Sequence, residues 1–401
     1  MEGVTVEQAL ELILDHVNVI TDVEEVELLY AAGRILARDM VAGFDNPPFD
    51  RSPIDGYACR AADVAGASEA SPVRLKVTEE IDAGQYSERE VQAGQAVRIM
   101  TGAAIPTGCD CCIRQEDTDY GEDMVEIYRP EDAWGNYCFR GEDFKKGTVL
   151  LRQGTRLGFV EAGVLASMGQ NKAPVYRLPR IAVLTTGDEV VEPGQSLTPG
   201  KIYNSNQALL AARLLDFGVQ LVHVSAIPDD PSAMAEALKE ASQDVDLIVT
   251  TGAVSVGKKD IMHEALAQIG AERVFWRVKV KPGMPTLFSV YQGVPVLSLS
   301  GNPFGVAVVV ELLARPMIQK MKQDDSLRLM RVHGTLLDDF KKTSRGRRLV
   351  RAIWDQGTFH LPDGLHSNGV LASMAGCNCL IDVKPGSPAL KAGEELDAIL
   401  L

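Results

Sequence analysis

Histidine is scarce in this sequence, with six scattered residues in 401, so a histidine-centred acid–base or metal site has no support. The seven cysteines are odd in number. Their two groupings, Cys109, Cys111 and Cys112 in "CDCCIRQED" and the pair Cys377 and Cys379, lack zinc-site spacing, and no histidine lies near the first. Alternation along a strand puts Cys109 and Cys111 on one face and Cys112 on the other, and we expect reduced structural thiols. No block of lysine or arginine occurs, and the formal charge of −15 repels nucleic acid and anionic membranes. The most apolar stretch, 305–318, is interrupted by Glu311 and Arg315. The opening "MEGVTVEQALELIL" has neither a basic region nor a small-residue cleavage site. Neither a membrane span nor a secretory leader is expected, and the cytoplasm is the expected location. No self-repeat points to a solenoid. What remains is a soluble globular chain, 46% hydrophobic and 24% charged, with material for two to four domains and a small-molecule partner.

From residue 180 to about 320 strand and helix patterns alternate. "RIAVLTTGDE" reads as strand and loop, "NSNQALLAARLLDFG" as a capped helix ending at Gly218, and "QLVHVSAIPDD" as the next strand and loop. "PSAMAEALKEASQ" is a proline-started helix behind Asp230. The buried strand Leu247–Val249 and its loop, a helix from Ile261, the strand "ERVFWRVKV", a hairpin through Gln292–Gly293 and a helix after "SGNP" follow. This order predicts an α/β domain with a doubly wound parallel sheet. Before it, helices in "TVEQALELILDHV" and "LLYAAGRILA" precede short strands punctuated by Gly and Pro over 45–140, a β-rich insertion. After about 327 strand character returns in "RGRRLVRAIW" and "NCLIDV", which reads as a small β-barrel or sandwich.

Four loops follow the α/β strands: Thr185–Glu189, Pro228–Asp230, Gly252–Asp260 and Ser300–Pro303. The direction of a parallel sheet gathers such loops at its carboxyl edge, where backbone N–H groups and helix N-termini favour anions. Gly187, Gly252, Gly257 and Gly301 permit close approach to a phosphate, Thr186, Ser255 and Asn302 add polar contacts, and Pro303 opens the last helix. Carboxylates beside a phosphate need a divalent cation between them, so Glu189, Asp229 and Asp260 suggest Mg²⁺. Asp260 equally suits a helix cap, Asp230 reads as a cap and Asp188 as a turn residue. Lys279 and Lys281 read either as phosphate partners or as a solvated strand edge.

Nine segments occur in order along the chain: "FDRSPIDGYA" (49–58), "RIMTGAAIPTGCD" (98–110), "RGEDFKKG" (140–147), "AVLTTGDEV" (182–190), "GKIYNSN" (200–206), "PDDP" (228–231), "GAVSVGKKD" (252–260), "KPGMP" (281–285) and "SGNP" (300–303). Together they resemble the MoeA-type molybdopterin molybdenumtransferases, the family that includes the E domain of gephyrin. The resemblance implies a homodimer. It also implies a linking domain at 1–44 plus 141–177, an inserted β domain at 45–140, a molybdopterin-binding α/β domain at 178–326 and a C-terminal β-barrel at 327–401. The implied activity is Mg²⁺-dependent cleavage of adenylylated molybdopterin, insertion of molybdenum from molybdate, and release of AMP. A tungsten-specific insertase, or a non-catalytic paralogue that binds molybdopterin or delivers it to other cofactor-biosynthesis proteins or apo-molybdoenzymes, is the alternative.

By its matching motifs the resemblance assigns Asp55 and Thr101 to the site from the β domain, with Glu189, Asp229 and Asp260 at the α/β domain and the cleft completed across the dimer. Glu189 and Asp260 would bind the metal or activate water, Asp55 would position molybdate or substrate, and Lys279 and Lys281 would carry phosphate charge. The sequence departs from the family pattern at Ala253, where a second glycine is usual, and at Lys258, Met284 and Ser300. The lysine absent at 284 is expected to be compensated by Lys258 or Lys259.

Overall fold

The computed structural model describes residues 1–254 and 261–401. The chain forms two compact units. The first comprises Met1–Glu24, Gly33–Ile35 and Val175–Leu401, and the second Glu25–Ala32 and Leu36–Pro174.

A seven-stranded sheet organises the first unit, in the order Glu2–Val4, Glu272–Val278, Thr286–Tyr291, Val294–Leu299, Leu247–Thr251, Arg180–Thr186, Gln220–Ile227. Neighbours run parallel except Thr286–Tyr291, which is antiparallel to both its partners. It is the hairpin strand: Gln292 and Gly293 turn the chain with φ of 50° and 84°, the two left-handed positions of a tight two-residue turn. Central strands are buried on both faces, which their unbroken apolar runs require. Ile181 and Val183 join one apolar cluster with Leu210, Leu214 and Val308, while Ala182 and Leu184 join another with Met234, Leu238 and Met262. Helices thus cover both faces, as the alternating pattern predicts.

The first residues differ from the expectation that grouped them with a linking segment. Glu2–Val4 pairs in parallel with the strand Glu272–Val278, and Ala9 and Ile13 of helix Val6–Leu14 are buried in the first cluster. An amphipathic nine-residue helix buries its stripe wherever an apolar face awaits it, and local sequence does not say where that is. The helix expected in "LLYAAGRILA" shrinks to one 3₁₀ turn at Leu28–Tyr30, and the chain takes a left-handed φ of 80° at Gly33.

Helix Pro303–Val309 continues through a π-turn, Val310–Ala314, into helix Arg315–Lys322. The two charges that interrupt this apolar run are buried as a pair. Glu311 accepts from Arg213 Nε at 2.6 Å and Arg315 at 3.0 Å, and Arg315 also donates to the carbonyls of Leu327, Arg328 and Leu400. Downstream, strands Arg331–Leu336, Arg347–Asp355, Thr358–His360, Cys379–Val383 and Glu395–Leu400 close into a barrel. Closure occurs because Arg347–Asp355 pairs with both Thr358–His360 and Cys379–Val383.

The second unit contains a five-stranded sheet in the order Cys111–Arg114, Gly56–Cys59, Gln95–Ile99, Val73–Ile81, Met124–Ile127. Cys109 precedes the strand, so the face expected from alternation is not the one found. Cys109 packs with Cys112 in one cluster and Cys111 with Cys59 in the other. Burial pushes the Cys112 thiol up to about 12.

Candidate active site

A cavity of about 620 Å³ opens at the carboxyl ends of three adjacent strands, Val294–Leu299, Leu247–Thr251 and Arg180–Thr186. Thr186, Gly187, Glu189, Asp229, Gly252, Gly301, Asn302 and Pro303, all singled out in the sequence, line it together. Strand direction is the cause: each strand ends in its loop at this edge before the chain turns into the covering helix.

Backbone approach is close where the glycines stand. Gly252 has φ of 100°, and a Cβ there would lie 2.0 Å from the Thr186 carbonyl oxygen. Its neighbour Ala253, the position where the resemblance implies a second glycine, also takes a left-handed φ, 48°. Asn206 joins two loops, its amide donating to Gly301 O at 2.9 Å and Thr251 Oγ1 at 3.2 Å. The Thr251 hydroxyl in turn donates to Ser300 O at 3.0 Å. Buried Asn204 caps helix Ser205–Asp216 through Gln207 N and donates to Thr185, Glu192 and Gln207.

The carboxylates divide by task. Asp229 accepts from the Thr186 hydroxyl on one oxygen and from Asp188 N, at 3.1 Å, on the other, so it fixes the first loop. Asp230 caps helix Pro231–Ala241, accepting from Ala233 N at 2.7 Å. Asp188 lies in the turn, its carbonyl accepting from Lys201 Nζ. Glu189 is exposed at the cavity, and among the described residues its carboxylate has no hydrogen-bond or ion-pair partner. Ser255, Gly257, Lys258, Lys259 and Asp260 lie outside the described residues, so the expected Glu189–Asp260 metal pair is described on one side only. Among the described residues no three His, Cys, Asp or Glu side chains converge as a metal cluster. The donors that do face the cavity, Glu189, Asp229 and Thr186, offer only oxygen, which suits a hard divalent cation.

In the second unit Asp55 and Thr101 come together. Asp55 Oδ1 accepts from both Thr101 N and Thr101 Oγ1 at 2.7 Å, and these bonds hold its carboxyl below the usual range. Gly56 is required beside it, because a Cβ would lie 1.8 Å from the Ile113 carbonyl oxygen.

Lys279 and Lys281 are not brought to the carboxylates' cavity. With Met284 they line a second one of about 810 Å³ that shares no residue with the first. The sequence reading also missed Asn204 and Asn206, although "GKIYNSN" drew attention, and Gly369 and Leu371, which reach the cavity from the barrel segment. Two asparagines around one cap position were the available signal for the former; no local signal existed for the latter.

This architecture defines a multidomain α/β protein with a small-molecule cavity at the carboxyl edge of its sheet. Three family models match in chain order. They are the MoeA N-terminal region (domain I and II) over 4–169, a probable molybdopterin binding domain over 182–320 and the MoeA C-terminal region (domain IV) over 333–401. A molybdopterin molybdenumtransferase from Staphylococcus epidermidis is 34% identical over 401 residues, covering 99% of this chain and 95% of its own. One from Bacillus subtilis is 35% identical over 387 residues, 95% of this chain and 90% of its own. The crystal structure of the molybdopterin biosynthesis MoeA protein from Pyrococcus horikoshii OT3 covers 100% of both chains, with 31% identity and a TM-score of 0.79. A further Pyrococcus MoeA structure covers 99% of each at 30% identity and a TM-score of 0.85. The chain belongs to the MoeA family of molybdopterin molybdenumtransferases.

Proposed function

We propose that this chain is a transferase of molybdenum cofactor biosynthesis: it cleaves adenylylated molybdopterin, takes molybdenum from molybdate and releases AMP. The observation that supports this most is one cavity that joins a backbone edge at Gly252 and Gly301 to the Glu189 carboxylate, which has no side-chain partner among the described residues. A pyrophosphate suits the Gly301 side of this edge, where no Cβ stands between backbone and cavity; the Gly252 N–H is already given to Leu299 O at 3.2 Å. Asp229, through Thr186 and Asp188 N, keeps the first loop in place, and Asn206 ties the start of the third loop to the fourth. Asn302 and Thr186 orient the bound substrate, and Glu189 stands where it can hold a metal or take a proton from the attacking group. Bound Mg²⁺ would neutralise phosphate and molybdate oxygens, with Glu189 as its described ligand and Asp260 as the expected second. The Asp55–Thr101 pair, with its carboxylate held ionised, we assign to positioning the oxyanion or substrate. We further propose a cytoplasmic homodimer, with transfer of the finished cofactor to apo-molybdoenzymes or other cofactor-biosynthesis proteins.

The test supplies purified protein with Mg²⁺, molybdate and adenylylated molybdopterin, and measures AMP together with reconstitution of an apo-molybdoenzyme. Both products are expected. Tight substrate binding without AMP, at every molybdate or tungstate concentration, would make the chain a binding or delivery protein; AMP with tungstate alone would make it a tungsten insertase.

A further inference from the structure

A third cavity, of about 440 Å³, lies wholly within the first unit. Helix Ser205–Asp216, helix Pro303–Val309 with its π-turn, and the barrel segment around the 3₁₀ turn Ala372–Met374 surround it. Its wall is mostly apolar: Leu209, Ala307, Leu371, Met374 and Leu401 line it, each half-buried. Three of them, Leu209, Met374 and Leu401, pack on the margin of the first apolar cluster, so the hollow is a place where the core's own surface stays open. Two charged side chains, Arg213 and Glu311, complete the lining.

Of these two charges, Glu311 is satisfied and Arg213 is not. The Glu311 side chain is 3% exposed and accepts from Arg213 Nε on one oxygen and from Arg315 on the other. Arg315 gives its remaining donors to the carbonyls of Leu327, Arg328 and Leu400. Two guanidinium groups thus meet one buried carboxylate, and the surplus positive charge falls on Arg213. Among the described residues the terminal nitrogens of Arg213 donate no hydrogen bond. Asp216 stands 3.7 Å from one of them and is 70% exposed, an ion pair of little worth in water. The Nε bond and the Phe217 ring, whose centroid lies 4.7 Å from the guanidinium carbon, hold the group in place. A planar guanidinium takes a carboxylate through two parallel N–H···O bonds, and an apolar hollow with one such group suits a small amphiphile. We propose that this cavity binds an apolar monocarboxylic acid, its carboxylate on Arg213 and its hydrocarbon against Leu209, Leu371 and Met374. Leu371 also lines the Glu189 cavity, so the bound acid acts on the fit of substrate there; that consequence rests on the proposed reaction, whereas the binding does not.

Calorimetric titration of octanoate, acetate and octylamine into the full chain tests this. Octanoate is expected to bind saturably, acetate about tenfold or more weakly for want of an apolar tail, and octylamine not at all. Arg213→Gln keeps a donor for Glu311 but no charge, and should weaken octanoate by about tenfold or more, the worth of a hydrogen bond to a charged group. Arg213→Lys should weaken it less, and Asp216→Asn, which removes the competing carboxylate, should tighten it. Ala375 is exposed and lines the cavity, so Ala375→Trp should block binding by bulk while the melting temperature stays put. Glu189→Gln should bind octanoate as the parent does, which separates this site from the first cavity. No saturable octanoate binding to the parent chain, octylamine or acetate binding as tightly, or undiminished affinity in both Arg213→Gln and Ala375→Trp overturns the proposal. In the AMP assay saturating octanoate is expected to shift the KM for substrate. An unmoved KM overturns the link through Leu371, and octanoate binding without any AMP release overturns the proposed reaction and not this site.

Discussion

Two neighbouring residues at the edge of the sheet should respond in opposite ways to the same methyl group. Gly252 and Ala253 both have left-handed backbone, with φ of 100° and 48°. At 252 a Cβ would lie 2.0 Å from the Thr186 carbonyl oxygen and 3.0 Å from its carbon, and the obstacle is backbone, which a rotamer change cannot move. Gly252→Ala must therefore push apart the ends of two hydrogen-bonded strands. Left-handed strain of about 1–2 kcal/mol adds to an overpacking cost of about 1–3 kcal/mol, so a loss of roughly 2–5 kcal/mol is expected. The shift falls on Thr186, whose hydroxyl holds Asp229, so AMP release should fall as well. At 253 the methyl is already accommodated. Ala253→Gly gains about 1–2 kcal/mol of relieved strain and loses about 0.4–1 kcal/mol to the freer unfolded chain. It loses a few tenths more from a half-buried methyl that packs beside the second apolar cluster. The net change should lie within about 1 kcal/mol of zero. Urea and thermal melts of the full chain, read at the tryptophans, measure both. A Gly252→Ala protein as stable as the parent, or an Ala253→Gly protein destabilised as much as it, would refute the reasoning.

Glu189→Gln should abolish most AMP release while leaving the melting temperature nearly unchanged, since the carboxylate has no side-chain partner among the described residues; Asp229→Asn should lower both. Asp230→Ala removes a helix cap and should cost about 1 kcal/mol in a urea melt without altering AMP release. Arg351 is fully buried and donates to Val370 O, Ser373 Oγ and Ser367 O while its guanidinium lies 3.7 Å from the Phe304 ring centroid. Arg351→Met should cost about 2–4 kcal/mol and raise the KM for substrate, because the loop it pins carries Gly369 and Leu371 to the cavity. Burial raises the Asp382 pKa, but the hydrogen bonds and charge of Arg347, then those of Arg331, more than offset this and the net shift is downward. A folded value below the unfolded one contributes stability above the unfolded pKa of about 3.9, lost as pH falls through the depressed value. The stability deficit of Asp382→Asn, measured by urea melts from pH 7 downward, should therefore be full at neutrality and close in acid.

The cavity was legible because its position follows from order and handedness. Strand, loop and helix in alternation leave each loop at one edge, so Thr186, Glu189, Asp229, Gly252 and Asn302 had to meet whatever the details of packing. Lys279 and Lys281 escaped that logic. Their position is set by the pairing of Val280 with Arg347 and Lys281 with Arg348, sixty-seven residues later, and no periodicity announces a register between such distant segments. Gly369 and Leu371 reach the cavity, and Glu2–Val4 the sheet, in the same non-local way.

Within the loops the side chains that serve the cavity are the ones left over after local structure has taken its share. In "PDDP" the helix needs one cap and Asp230 supplies it, which leaves Asp229 to hold Thr186. In "NSN" Asn204 is the cap, and Asn206 then spans Thr251 and Gly301. In "GDE" the backbone of Asp188 is held by Asp229 and Lys201 within the turn, while the Glu189 carboxylate has no partner among the described residues. In each pair one residue serves its own helix or turn and the other reaches beyond it: Asp229 and Asn206 hold the loops around the cavity, and the Glu189 carboxylate is left facing it. Among the cations, Arg347 is engaged by Asp382 and Glu7, while the Arg345 and Lys384 side chains have no partner among the described residues.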